Sequence, residues 1–193
     1  MTLLEIIEKF QLNKDKKSGT DKVRRHSYLP IYEEIFQNIK YKKLTILEIG
    51  TEYGGSGLLW HKYFENSKLI LLDIKDRTLR KHMVHYNKRK YEKIISDAYK
   101  PDIVTKIKRK YPRGIDIAID DGPHTLESQK EFIKLYLPLI NKNGILAIED
   151  IKSVEDAELL KNTLPDQLKD KCVIHDLRHI LNRFDDIMLV VNL

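Results

Sequence analysis

The chain has 193 residues, with 35 Lys and Arg against 29 Asp and Glu, a formal charge of +6. At 41% hydrophobic and 33% charged it is neither low-complexity nor disordered, and a chain this long buries enough surface to fold without staples. One cysteine, Cys172, excludes an intrachain disulfide framework and a multi-Cys zinc site. No apolar run reaches the roughly 18–20 residues of a membrane span, and the acids Glu5 and Glu8 in MTLLEIIEKF are unlike a signal peptide. The expectation is a soluble, cytoplasmic protein.

The pattern predicts alternating strands and helices. Residues 2–10 read as a short amphipathic helix with Leu3, Leu4, Ile7 and Phe10 on one side. A polar loop follows (13–22), then a helix over 29–39. Apolar runs at 44–50, 68–74, 92–98, 114–121 and 144–151 read as buried strands. Helices are expected at 55–65, 77–89, 101–111, 125–138 and 154–163. Two last strands fit 171–177 and 186–192, with no long helix between them. This rhythm predicts an α/β fold, a Rossmann-like, seven-stranded, mostly parallel doubly wound sheet with an antiparallel C-terminal hairpin. Residues 1–41 are expected to add N-terminal helices and a lid-like loop to a core over 42–193, all in one compact domain.

The charge is uneven. Residues 75–93 hold eight Lys and Arg and two acids, and 106–113 hold five Lys and Arg and no acid. These stretches exceed the chain's whole +6, so the remainder is net acidic. A basic patch suits nucleic acid, an anionic membrane surface or an acidic substrate, but a solvated helix face is the preferred reading.

The first strand–turn–helix, LEIGTEYGGSG, is the informative joint. Ligands of open α/β sheets sit at the carboxyl ends of strands, and glycines there let the backbone come close. The spacing from Gly50 to Gly54-Gly55 is not that of the dinucleotide fingerprint. Asp73 ends the next strand, placed to accept from ribose hydroxyls. Ser96-Asp97-Ala98 ends the third, where a carboxylate accepts from an adenine amine. Together these favour an adenosine ligand.

With these motifs the chain resembles class I S-adenosylmethionine-dependent methyltransferases over about 42–192. The resemblance implies that Glu48, Gly50, Thr51, Gly54, Gly55 and Ser56 surround the methionine part of the cofactor. It further implies that Asp73 and Ile74 meet the ribose side, and that Asp97, Ala98 and Asp120 border the rest.

Substrate chemistry is expected after strands four and five, at IDDGPHT and IEDIK. Asp121, Glu149 and Asp150 fall at neighbouring strand ends with no basic run beside them, which points to a hard cation, Mg²⁺ or Mn²⁺. A metal-bound hydroxyl is oriented and more acidic, and His124 is placed to take its proton. The competing reading makes Asp121 a cap of the following helix. The pattern also resembles catechol-type O-methyltransferases and, more closely, sugar O-methyltransferases of macrolide and aminocoumarin biosynthesis. Some of those carry D-D-G-S-H; here Pro123 replaces the small polar residue. They also tend to carry an upstream stretch like GTDKVRRHSYLPIY, which implies that Thr20, Asp21, Lys22, His26 and Tyr28 fold over the active site. Asp176, Arg178, Arg183, Asp185 and Asp186 either line the acceptor pocket or, as preferred, form a salt-bridged hairpin.

The expected activity is therefore metal-dependent O-methylation of a sugar, glycan or small diol hydroxyl. The alternatives are RNA 2′-O-methylation, which the absence of a lysine on strand five argues against, and a non-catalytic adenosine-binding protein. A homodimer is a further expectation, because a second copy is one way to close the pocket.

Overall fold

A computed structural model of the chain describes residues 1–14 and 19–193. Part of the predicted 13–22 loop, residues 15–18, lies outside the described residues. Helices α1 (Leu3–Lys9) and α2 (Leu29–Phe36) precede strand β1 (Thr45–Ile49). Then come α3 (Gly55–Tyr63), β2 (Lys68–Asp73), α4 (Arg80–Met83), β3 (Tyr91–Ile95) and α5 (Pro101–Lys110). They are followed by β4 (Ile115–Asp120), α6 (Leu126–Tyr136), a 3₁₀ turn and β5 (Ile140–Ile148). The chain ends with α7 (Val154–Asn162), α8 (Asp166–Lys169), β6 (Cys172–Asp176), α9 (Arg178–Leu181) and β7 (Ile187–Asn192).

The seven strands form one sheet in the order β3-β2-β1-β4-β5-β7-β6. The first five are parallel, and β7 runs antiparallel between β5 and β6. The closing pair is thus antiparallel as expected, but β7 lies inside the sheet and only β6 is at its edge. The burial of the two strands follows: β7 is buried over Ile187–Val191, whereas in β6 only Cys172 is buried.

Successive strand residues point to opposite faces, so an apolar run supplies two cores at once. Ile46, Leu69, Leu71, Ile117 and Ile119 meet α1, α2 and α3 on one face. Leu47, Ile49, Ile70, Leu72 and Ala118 meet α5, α6 and α7 on the other. Leu3, Ile6, Ile7, Tyr32 and Phe36 belong to the first of these cores, so the N-terminal helices cover a sheet face.

The basic stretch 77–89 differs most from expectation: only one turn, Arg80–Met83, is helical. Leu79, Met83 and Tyr86 fall at helical spacing, but of the three only Tyr86 is buried. The inward residues of the stretch are held singly, the Tyr86 hydroxyl donating to Gly54 O at 3.0 Å and His82 Nδ1 lying 2.9 Å from Tyr53 O.

Candidate active site

The carboxyl ends of the parallel strands surround a cavity of about 1270 Å³. It lies where β1 and β4 diverge in the strand order, the place where such sheets bind ligands. Its volume exceeds the roughly 300–1,000 Å³ of a single-ligand pocket.

The β1–α3 turn forms one wall. Gly50 has φ +83°, and a Cβ there would stand 1.7 Å from the Asp121 carbonyl oxygen. A Cβ on Gly55 would stand 1.9 Å from the Gly19 carbonyl oxygen, so the segment 19–28, a strap, presses directly on the turn. Gly50, Thr51, Gly55 and Ser56 line the cavity. Thr51 is buried and its Oγ1 has no hydrogen-bond partner, which leaves it available to a bound group.

Glu48 is a correction. It does not line the cavity; its Oε2 accepts from the Ser56 hydroxyl at 2.9 Å and its Oε1 from Trp60 Nε1 at 2.8 Å. The carboxylate therefore clamps the start of α3 from below the turn, and burial pushes its pKa up to about 7. Gly54 likewise serves the turn, with φ +84° at the N-cap of α3.

Asp73, Ile74, Asp97 and Ala98 line the second wall. Asp73 accepts from the Glu52 and Lys75 amides at 2.8 and 3.0 Å, which fixes its carboxylate at the rim. Asp97 is fixed in the same manner by the Tyr99 amide at 3.0 Å. Asp120 is the other correction: it is buried behind the wall, where it accepts from the Tyr99 hydroxyl at 2.6 Å, and burial raises its pKa to about 7.

The far end is acidic. Asp121, His124 and Asp150 line it and bring one ligand-type atom each to within 4.8 Å of one another. His124 Nε2 is 3.5 Å from Asp150 Oδ2 and 4.0 Å from Asp121 Oδ1. Thr125, not Asp121, caps α6, so the carboxylate is free of that duty. His124 and Asp150 both hold left-handed backbone, φ +56° and +53°, a strain that non-glycine residues keep where the surroundings enforce it.

Lys22 changes the expected electrostatics. Its ammonium is fully buried and donates to Asp121 Oδ2 at 2.8 Å and to Glu149 Oε2 at 2.7 Å. The compensating cation that the local sequence lacks thus arrives from the strap. Burial alone would lower the Lys22 pKa, but Asp121, Glu149 and Glu48 outweigh it and hold it well above the usual lysine range. Glu149, expected beside Asp121 and Asp150 as a ligand, also accepts a hydrogen bond from Tyr32. Neither of its oxygens is offered to the cavity in this arrangement. Tyr28 donates to Asp150 Oδ1 at 2.8 Å and accepts from the Asp150 amide at 3.0 Å. Burial, reinforced by Asp121 and Asp21, raises the Asp150 pKa to about 8.

Of the strap residues, Thr20, Asp21 and His26 line the cavity, while Lys22 and Tyr28 stand behind it. The structure divides the C-terminal segment, for which a supporting hairpin is the expectation. Arg183 and Asp185 pair at 2.7 Å on the cavity wall, and Asp186 is buried against the strap, accepting from the Ser27 amide at 3.0 Å. Asp176 and Arg178 form an exposed pair away from it. Tyr32 and the buried role of Lys22 had no local signal in the sequence.

A glycine turn, acids at the ends of the second and third strands, and an acidic far end thus share one cavity at the carboxyl ends of the parallel strands. Residues 47–151 match the methyltransferase domain family, and the chain belongs to it. It is 27% identical over 133 residues to demethylmacrocin O-methyltransferase of Streptomyces fradiae and, to the same extent, to mycinamicin VI 2″-O-methyltransferase of Micromonospora griseorubida. Each match covers 65% of this chain and 32% of the relative, so the chain spans about a third of those proteins. Among solved structures, the MycE methyltransferase in complex with Mg, SAH and mycinamycin VI superposes with a TM-score of 0.72 at 20% identity. That match covers 100% of this chain and 54% of the other, and it shows a shared fold.

Proposed function

We propose that the chain transfers the methyl group of S-adenosylmethionine to a sugar hydroxyl, with a divalent cation, Mg²⁺ or Mn²⁺, at the acidic end. The observation that carries this reading is the convergence of Asp121, His124 and Asp150 in the same cavity as the glycine turn. The family and the two sugar O-methyltransferase relatives support the reaction class. The residues fit both groups. The orphaned Thr51 hydroxyl and the close backbone at Gly50 suit the cofactor. Buried carboxylates in excess of Lys22, the one buried lysine among the described residues, suit a cation.

Bound S-adenosylmethionine supplies an electrophilic methyl, and a hard cation makes a hydroxyl bound to it more acidic. The chain's residues do the rest. The β1–α3 turn, Asp73 and Asp97 would hold the cofactor in the cavity that the acidic end also lines. Asp121 and Asp150 would hold the cation, which would supply a Lewis acid beside the acceptor hydroxyl. His124 Nε2 takes the hydroxyl proton, and the strap and the Arg183–Asp185 pair enclose the acceptor.

Asp121→Asn and Asp150→Asn are expected to abolish Mg²⁺-dependent methylation in a panel of nucleotide sugars, deoxysugars and glycosides, read by the gain of one methyl mass. Affinity for S-adenosylhomocysteine, measured by calorimetry, is expected to persist. His124→Gln is expected to lower turnover by about 10²–10⁴-fold, the range of a general base. Loss of S-adenosylhomocysteine binding in the aspartate variants would place the acidic end within the cofactor site. An unaltered rate for His124→Gln would remove it as the base.

A further inference from the structure

Among the described residues five buried side-chain polar atoms lack a hydrogen-bond partner, and three of them lie together: His26 Nδ1, Ser27 Oγ and Asp186 Oδ2. They lie on the strap and on the residue just before β7, beside the acceptor end and not within the Asp121–His124 group. His26 Nδ1 faces carboxylates on two sides, 3.2 Å from Asp150 Oδ1 and 3.5 Å from Asp186 Oδ1. Asp21 joins them: one ligand-type atom each of Asp21, His26 and Asp150 lies within 4.8 Å of the others. Ligands about 2.1 Å from an ion stand roughly 3–4.2 Å apart, so these atoms are close to a coordination shell.

The arrangement is built by the chain. The amides of Arg24, Arg25 and His26 all donate to the Asp21 carbonyl, at 3.1, 2.9 and 3.0 Å, a turn that sets Asp21 and His26 side by side. The His26 ring stacks on Tyr28 with centroids 5.0 Å apart and planes at 14°, which fixes where Nδ1 points. His26, Asp150 and Asp186 are each more than nine-tenths buried. Tyr28 donates to Asp150 Oδ1 and the Ser27 amide to Asp186 Oδ1, but His26 Nδ1 and Asp186 Oδ2 are left buried without a partner, and a cation would satisfy both.

We propose that Asp21, His26 and Asp150, with Asp186 beside them, form a second cation site that fastens the strap to the ends of β5 and β7. An imidazole with carboxylates suits a divalent ion of the transition series, Mn²⁺, Fe²⁺, Co²⁺ or Zn²⁺, better than Mg²⁺. Asp150 is shared between the sites: its Oδ1 lies toward His26 and its Oδ2 toward His124. The inference rests on the reading of the acceptor site only through that shared residue.

Co²⁺ is the probe, titrated calorimetrically into the full chain without cofactor, with visible absorption to report imidazole ligation. Two ions are expected in the wild type, one in His26→Gln, one in Asp121→Asn and none in Asp150→Asn. Co²⁺ is also expected to slow hydrogen exchange of the 24–26 amides in the wild type and not in His26→Gln. Asp21→Asn, with folding checked by circular dichroism, repeats the test should His26→Gln fail to fold. A wild-type stoichiometry of one that both strap variants keep would overturn the second site and spare the first. Loss of one ion in His26→Gln but none in Asp121→Asn would keep the second site and overturn the cation assigned to the acceptor end. No uptake by the wild type would overturn both.

Discussion

At the scale of single residues the acidic site depends on Lys22. A buried ammonium between two carboxylates recovers its desolvation cost only through those contacts. Removing it takes the cation from the buried Glu149, which keeps only the Tyr32 hydroxyl, and from the half-buried Asp121. Lys22→Met, near in shape and uncharged, is expected to destabilise the fold by about 3–5 kcal/mol in urea unfolding. Adding Glu149→Gln removes one stranded charge, so the double variant should recover part of that loss; strict additivity would show that the two do not interact. Hydrogen bonds that orient ligating carboxylates also tune metal affinity, so Lys22→Met should weaken Mn²⁺ binding about 10–100-fold. None of this was legible locally. Asp121, His124 and Asp150 were, because strand ends and short spacings mark them. Lys22 reaches partners 99 and 127 residues away, and only the folded chain makes that pairing visible.

At the scale of elements, the buried strands were legible because each apolar run feeds two cores, and a five- or six-residue run between turns has few other uses. The predicted helix at 77–89 was realised only over Arg80–Met83, and of Leu79, Met83 and Tyr86, which share helical spacing, only Tyr86 is buried. The chain there instead lies against the outer side of α3, and His61 is one of the contacts. Its Nε2 accepts from the Asn87 amide at 3.0 Å, so the ring must be neutral at that nitrogen. Burial, with Lys62 and Lys90 nearby, lowers its pKa to about 4. In the unfolded chain it takes a proton near 6.5. The stabilising contribution is therefore complete above about pH 6.5 and is lost as the pH falls toward 4. His61→Gln keeps an acceptor and cannot be protonated. The loss of stability between pH 7 and 4.5 should be smaller in this variant by about 2–3 kcal/mol. Parallel pH curves for the two proteins would contradict the assignment.

At the scale of the whole molecule, the +6 charge and the chemistry occupy different places. The basic residues lie around α4, β3 and the end of α5, at the β3 edge of the sheet. Several are already paired locally, Lys93 with Asp76, Lys106 with Asp102 and Lys110 with Glu92. The cavity is lined by acids from the strap and strand ends, among them Asp21, Asp73, Asp97, Asp121, Asp150 and Asp185. A phosphate backbone entering it would meet like charge, which costs affinity unless cations intervene. No helix among the described residues is long and apolar enough to cross a membrane. Nonspecific attraction to RNA through the β3 edge would fall steeply with salt. The expected result is weak, salt-sensitive binding of a single-stranded RNA in fluorescence anisotropy at low ionic strength. At about 0.15 M salt no binding should be measurable, in contrast with a protein making 6–10 phosphate contacts. Affinity that survives that salt and falls on substitution of Arg24 and Arg25, the exposed arginines at the cavity mouth, would bring RNA back as the acceptor. Affinity that survives but falls only on substitution of Lys88, Arg89 and Lys90 would make the β3 edge a binding surface separate from the chemistry.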